Sequence, residues 1–295
     1  MFRLAFFFIQ FVIFGLQAKS TERDFVIIVP SYNNENWCVN NVDSILRQNY
    51  DKYRIIYIND FSSDETETRV KERLKKFNKD YQIVSFDVDY NKDISDLLKS
   101  YRKLINEKKC FFTLVNNKQR CGSLANLYRA IYSCNDSEII VLVDGDDWLS
   151  REDVLKELNT TYSSADVWLT HGRFMEYRNK SSNWSLKIPE EIIKQNEFRK
   201  YRLPSHLKTF YSWLFKKIRL EDLLYQEKFF PVTGDMAMMF PMFEMAGERH
   251  SYIDNVNYIY NDINSINDFK VNKDLQIKLD DYVRSLPPYQ RLDGR

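Results

Sequence analysis

Apolar residues in this chain fall in short continuous runs separated by amphipathic stretches. Asp24–Pro30 (DFVIIVP), Arg54–Asn59 (RIIYIN), Cys110–Val115 (CFFTLV) and Glu138–Val143 (EIIVLV) have strand length. Runs apolar on both sides belong in a parallel sheet covered on both faces. Gln82–Val88 (QIVSFDV) predicts a further strand. Between the runs the period becomes helical. Val39, Val42, Ile45 and Leu46 share one stripe within Asn36–Gln48. Val70, Leu74 and Phe77 form another, after an Asp64/Glu67 pair that resembles a capping box. Ile94–Glu107 and Gly122–Cys134 also predict helices, and Ser150 is placed to cap one bearing Val154, Leu155 and Leu158. This alternation predicts an α/β fold: a mostly parallel central sheet, right-handed crossovers and helices on both faces. After Val167–Thr170 the alternation decays. Residues 172–200 read as a polar loop or insertion, Leu207–Lys217 and Met236–Gly247 as helices, and Tyr252–Tyr260 as an aromatic strand. The expectation is one domain over residues 21–264, modified from residue 151 onward, and a polar tail over 265–295.

The first residues have a different character. Met1–Phe2–Arg3 precedes an almost wholly apolar Leu4–Leu16, and Ala18-x-Ser20 fits a small-residue cleavage site. That layout predicts a signal peptide over residues 1–20 and a secretory or extracytoplasmic location. The alternative is a membrane anchor formed by residues 4–18, although a span needs about 20 apolar residues. Loss of Arg3 and Lys19 with no acid would take the formal charge from +1 to −1. Cys38, Cys110, Cys121 and Cys134 would then meet an oxidising route, as two disulfides with three possible pairings or as buried thiols. Asn135, Asn159, Asn179 and Asn183 begin N-glycosylation patterns.

With 43 Lys+Arg against 42 Asp+Glu, no basic field exists to hold nucleic acid. Only 7 glycines occur, and neither GxGxxG nor GxxxxGK[ST] is present, so a glycine-rich phosphate loop is excluded. An aromatic content of 15% supplies apolar bodies with polar tips, suited to a polar ligand.

In open α/β sheets, ligands bind at the carboxyl ends of the strands. Pro30, Ser31, Tyr32 and Asn33 follow the first strand, and Asn59–Asp64 follow the second. Asn116, Asn117 and Arg120 come after CFFTLV, and Asp144, Asp146 and Asp147 after EIIVLV. Carboxylates this close repel one another away from bulk water, and a divalent cation relieves the repulsion. Oxygen ligands suit Mg²⁺ or Mn²⁺, which commonly share carboxylates with substrate phosphates. Gly145 keeps the turn slim. The alternative is an acidic turn that caps the next helix.

VIIVPSYNNENWCVNNVDSILRQNY, RIIYINDFSSDETETRV and IIVLVDGDDWL occur in that order across residues 25–150. They resemble the family 2 glycosyltransferases of GT-A fold. TGDMAMMFPMFEMAG and YIYNDINSINDF resemble the acceptor half of a subgroup. The resemblance implies a nucleotide-sugar half over 21–150, an acceptor half over 151–264, a nucleotide-sugar donor, a divalent metal and inversion at the sugar carbon. It implies that Pro30, Ser31 and Tyr32 line the nucleoside and that Asp60 binds the base, usually uracil. Asp144 would touch ribose or metal, and Asp146 would ligate the metal. The family often carries two acids after the second strand; here the first is Asn59, which keeps hydrogen bonding but no charge.

A leaving diphosphate gains negative charge, so a metal at Asp146 and a clamp at Arg120 would stabilise it. The acceptor hydroxyl needs a carboxylate base. Asp235, after Thr233–Gly234 at a helix start, is the candidate, with helix capping as its alternative. His206 could serve the acceptor or the metal, His171 could reach the donor sugar, and Trp148 could stack on a sugar face; each could equally be structural. Met236, Met238, Met239, Met242 and Met245 read as core. The acceptor could be glycan, protein or lipid. Two other readings fit less well. A sugar-1-phosphate nucleotidyltransferase would want a glycine-rich loop where PSYNNEN stands. A binding protein without turnover would not need Asp144, Asp146 and Asp235.

Overall fold

The computed structural model describes residues 22–294 apart from positions 78, 90, 91, 109, 165, 182–184, 203 and 204. The expected signal segment and Asn183 therefore lie outside the described residues.

The strands are β1 (Phe25–Ser31), β2 (Tyr53–Asn59), β3 (Tyr81–Phe86), β4 (Phe112–Asn117), β5 (Ile139–Leu142) and β6 (Trp148–Leu149), followed by β7 (Leu169–Glu176), β8 (Lys208–Tyr211), β9 (Leu224–Tyr225), β10 (Lys228–Phe229) and β11 (His250–Tyr260). Every residue of β1 is buried. Alternation along it sends Val26 and Ile28 to one face and Phe25, Ile27 and Val29 to the other. Each face has its own apolar cluster. Helices α1 (Cys38–Leu46), α2 (Thr66–Phe77) and α5 (Val154–Ser164) cover the second face, and α3 (Ile94–Asn106) and α4 (Ser123–Ser133) the first. The continuous apolar runs thus sit where a sheet covered on both sides puts them.

The sheet order is β3-β4-β2-β1-β5-β8-β7-β11-β6. β1 pairs in parallel with β2 and β5, and β4 with β2 and β3. β8 departs from this pattern, lying antiparallel between β5 and β7 with Leu142 opposite Lys208. Leu207–Lys217 is therefore not the expected single helix. It begins as β8 and turns into the four-residue α7 (Ser212–Phe215). Residues 172–200 also hold more structure than a loop: β7 runs on to Glu176, and α6 spans Glu190–Gln195.

Residues 265–295 are not a tail. They contain α9 (Asp268–Val271) and α10 (Lys273–Ser285), and α10 buries Leu279 and Val283 completely. Beneath α10 lies α8 (Gly234–Ala246), which is buried from Met236 onward, its methionines in the core as expected. Arg199 and Glu244 form a buried ion pair at 2.6 Å, and the Tyr289 N–H donates to Glu244 Oε2 at 2.9 Å. Those bonds clasp the C-terminal segment to the domain.

All four cysteines are free thiols, Cys38 and Cys134 among the buried ones. Burial pushes the Cys134 thiol up to about 11. Among the described residues no helix is long and apolar enough to cross a membrane.

Candidate active site

A cavity of about 700 Å³ opens at the carboxyl ends of β1, β5 and β7. The turn after β5 carries Asp144, Asp146 and Asp147, and all three border the cavity. Gly145 lets that turn lie against the end of β1: a Cβ there would stand 2.5 Å from Ser31 Oγ and 2.7 Å from Asn34 Nδ2. Asn41, on α1, ties the turn down by donating to the carbonyls of Asp144 and Asp147 at 2.9 and 2.8 Å.

The antiparallel direction of β8 brings two more groups to this edge. Its amino end, rather than its carboxyl end, reaches the cavity, and it brings His206 and Lys208 there. His206 stacks flat on Tyr258 of β11, with centroids 4.3 Å apart. Burial, helped by the Lys208 charge, holds the His206 imidazole well below its usual range, so the ring is neutral at pH 7. Its Nδ1 is buried and finds no hydrogen-bond partner among the described residues. Asp144, Asp147 and His206 each offer a ligand atom within 4.8 Å of the others.

The acids differ in what holds them. Asp147 is buried, accepting from Tyr258 Oη and from the Asn261 N–H, both at 2.7 Å. Burial and its acidic neighbours push its carboxyl well up. Asp144 is pushed up to about 6, first by burial and then by Asp146 and Asp235, while the Lys208 charge opposes the rise. Asp146 accepts from Asn264 Nδ2 at 2.7 Å. It borders the cavity beside Asp144, and Asp147 and His206 join Asp144 in a group of three ligand atoms. Two carboxylates and a neutral imidazole suit a borderline-hard dication such as Mn²⁺. The unpartnered His206 Nδ1 and the raised acids show what such an ion would satisfy.

Across the cavity, Asp235 sits in the first turn of α8. Thr233 before it has φ +58°, a left-handed conformation that a β-branched residue adopts only at a cost of about 1–3 kcal/mol. That corner starts α8 where Asp235 can face the cavity. Asp235 Oδ2 accepts from Lys208 Nζ at 2.9 Å, and the Thr233 side chain makes no cap bond to the helix.

Pro30, Tyr32 and Arg120 also border the cavity. The Arg120 guanidinium lies 3.3 Å from the Tyr32 ring centroid, and its Nε is 3.3 Å from Asp60 Oδ2.

Five expected residues do not reach the cavity. Ser31 lies beneath it, its hydroxyl accepting from Asn34 Nδ2 at 3.1 Å and from Tyr57 Oη at 2.9 Å. Asp60, 3% exposed, is spent on the loop before α4. It accepts from Asn117 Nδ2 (2.7 Å) and from the N–H groups of Cys121 (2.9 Å) and Gly122 (2.8 Å). A carboxylate at that helix N-terminus is favoured by the helix dipole. Its Oδ2 also stands 3.3 Å from Arg120 Nε. Asn59 is likewise used locally, donating to Asn116 Oδ1 at 3.1 Å and accepting from the Ser62 N–H at 3.3 Å. Trp148 does not border the cavity and meets Tyr177 edge-on at 5.0 Å. His171 has the opposite parity to Phe174 and Glu176 on β7, so they face the cavity while it packs against Phe243 of α8.

Lys208, Tyr258 and Asn264 were not among the expected site residues. Lys208 and Asn264 stand in stretches read as helix and as the domain's polar end, and neither pattern marks them as functional. The aromatic run Tyr252–Tyr260 did signal a strand, but not that the Tyr258 hydroxyl would reach Asp147.

Residues 26–93 match the family described as Glycosyl transferase family 2. No curated protein matches the chain. Among solved structures, S. aureus TarS 1–349 in complex with UDP matches with TM-score 0.56 and 15% identity, over 81% of this chain and 60% of that one. A mannosyltransferase from Pyrobaculum calidifontis, in complex with GDP-Man and Mn²⁺, matches with TM-score 0.55 and 15% identity, over 92% and 67%. Glucosyl-3-phosphoglycerate synthase from Mycobacterium tuberculosis, with Mn²⁺, UDP and phosphoglyceric acid, matches with TM-score 0.53 and 12% identity, over 90% and 80%. The chain spans only 36% of a longer TarS chain. These likenesses show the fold: the mostly parallel sheet flanked by helices is that of the GT-A glycosyltransferases.

Proposed function

We propose that a chain with residues 26–93 in glycosyltransferase family 2, and with the GT-A fold around them, is a metal-dependent inverting glycosyltransferase. It moves a sugar from a nucleoside diphosphate sugar to an acceptor hydroxyl. One observation carries the reading. A single cavity gathers an acid turn, a neutral imidazole and a separately mounted carboxylate at the carboxyl ends of the strands, beside Pro30 and Tyr32 of the matched segment. Uridine is the first choice of base, because two of the three structures above hold UDP.

Asp144, Asp147 and His206 would hold the dication, with Asp146 beside them. The bound ion would supply positive charge for the departing diphosphate. The chain's own residues do the rest. Pro30 and Tyr32 form the wall for the nucleoside, and Arg120, braced by Asp60, offers a guanidinium toward the phosphates. Asp235, on another element, takes the proton of the acceptor hydroxyl as that oxygen bonds to the sugar carbon and the carbon–oxygen bond to diphosphate breaks. One displacement of this kind inverts the sugar carbon. Phe174, Phe230 and Met238 give the cavity apolar wall for the flat side of a sugar or acceptor.

The test is release of nucleoside diphosphate from a panel of UDP- and GDP-sugars, with Mn²⁺, Mg²⁺ or chelator. Metal-dependent release is expected, with acceptor increasing it. Tight binding without release would leave a binding protein, and failure to bind any nucleotide sugar would overturn the reading.

A further inference from the structure

Lys208 is a cation in the wall of the cavity. Its side chain is 6% exposed, whereas that of its partner Asp235 is 43% exposed. The lysine thus lies in the wall and the acid opens to the cavity. Burying an ammonium is costly unless it is paired, and Asp235 Oδ2 at 2.9 Å supplies that pair. Yet a carboxylate pinned to a lysine is a poor base, because the pairing occupies a lone pair the proton needs. Lys208 is also not committed to one side. Register places it opposite Leu142, two residues before Asp144, and its charge is felt at Asp144 and His206. An ammonium has three donors and a flexible stem. A diphosphate entering this cavity brings more negative charge than one carboxylate.

We infer that Lys208 is a positioning residue that exchanges partners. It holds Asp235 while the donor site is empty, moves to the diphosphate when the donor binds, and so frees Asp235 as base only when there is a sugar to transfer. This inference rests on the transferase reading above. It predicts that removing the charge of the base strengthens nucleotide binding only while Lys208 is present, because Lys208 is then released in advance.

The experiment is calorimetric titration of UDP and of GDP, with Mn²⁺, into the wild-type chain, Asp235→Asn, Lys208→Met and the double variant. Asp235→Asn should bind the preferred nucleotide about tenfold more tightly than wild type, and Lys208→Met about tenfold more weakly. In the Lys208→Met background, Asp235→Asn should change nothing, since no lysine remains to be released. Lys208→Arg should restore the coupling. Equal tightening by Asp235→Asn in both backgrounds would mean simple loss of a repelling charge and would overturn the exchange. So would an unchanged affinity in Asp235→Asn, a half-exposed substitution that gives an answer even if Lys208→Met fails to fold. No nucleotide uptake by any of the proteins, wild type included, would overturn the transferase reading and this inference with it.

Discussion

At Gly145 a hydrogen atom in place of a methyl group decides whether the acid turn can close on β1. The methyl of Gly145→Ala would press on Ser31 and Asn34, both buried and hydrogen-bonded to each other. The expected cost is about 1–3 kcal/mol, read by urea denaturation. Because the turn carries the acids, Mn²⁺ affinity should also fall by about tenfold or more, as when a ligand's support is removed. Asp146 gives the converse case. It is only half-buried and accepts a hydrogen bond from Asn264. Asp146→Ala should therefore leave the melting temperature within about 2 °C of wild type while turnover falls by about a thousandfold. Normal turnover in that variant would leave the metal to Asp144, Asp147 and His206.

Among the elements, β1, β2, β4 and β5 are legible in the sequence because burial on both faces writes an uninterrupted apolar run. The acid turn follows from the end of such a run. β8 is not legible. It is four residues long, and Leu207, Phe210 and Leu214 happen to follow a helical spacing across its junction with α7. That error hides Lys208, whose place in the site depends on the strand's reversed direction. The C-terminal helix α10 is hidden differently: its exposed charges lower the local hydropathy, although Leu279 and Val283 keep an inward stripe. Leu279→Ala separates the two views. In a polar tail it would be silent; under α10 it should cost about 2–5 kcal/mol, measured by denaturation. The hydrogen-bond partners of Asp60 and Asn59 were not legible either. Strand-end position says that a polar side chain is near the cavity, but not whether a neighbouring loop has already used its lone pairs.

For the molecule as a whole, the buried histidines set the acid limit. Burial lowers His171 from 6.5 to about 3, and its neighbour His250 is lowered as well. Below pH 6.5 the unfolded chain takes up protons that the folded protein refuses. This contribution to stability is therefore complete above about pH 6.5 and shrinks as the pH falls toward 3. For one histidine the loss is about 2 kcal/mol between pH 6.5 and 5. His171→Phe should flatten the acid side of the stability profile by one proton relative to wild type, measured by denaturation at pH 7 and 5. The nine-stranded sheet has a consequence of another kind. Strands β1 and β7 are stitched together through β5 and β8 by continuous backbone hydrogen bonding. A bellows-like opening between two lobes would have to tear that fabric, so the traffic of substrates must be governed by segments outside the weave. Any reshaping of what this protein accepts should begin with those segments.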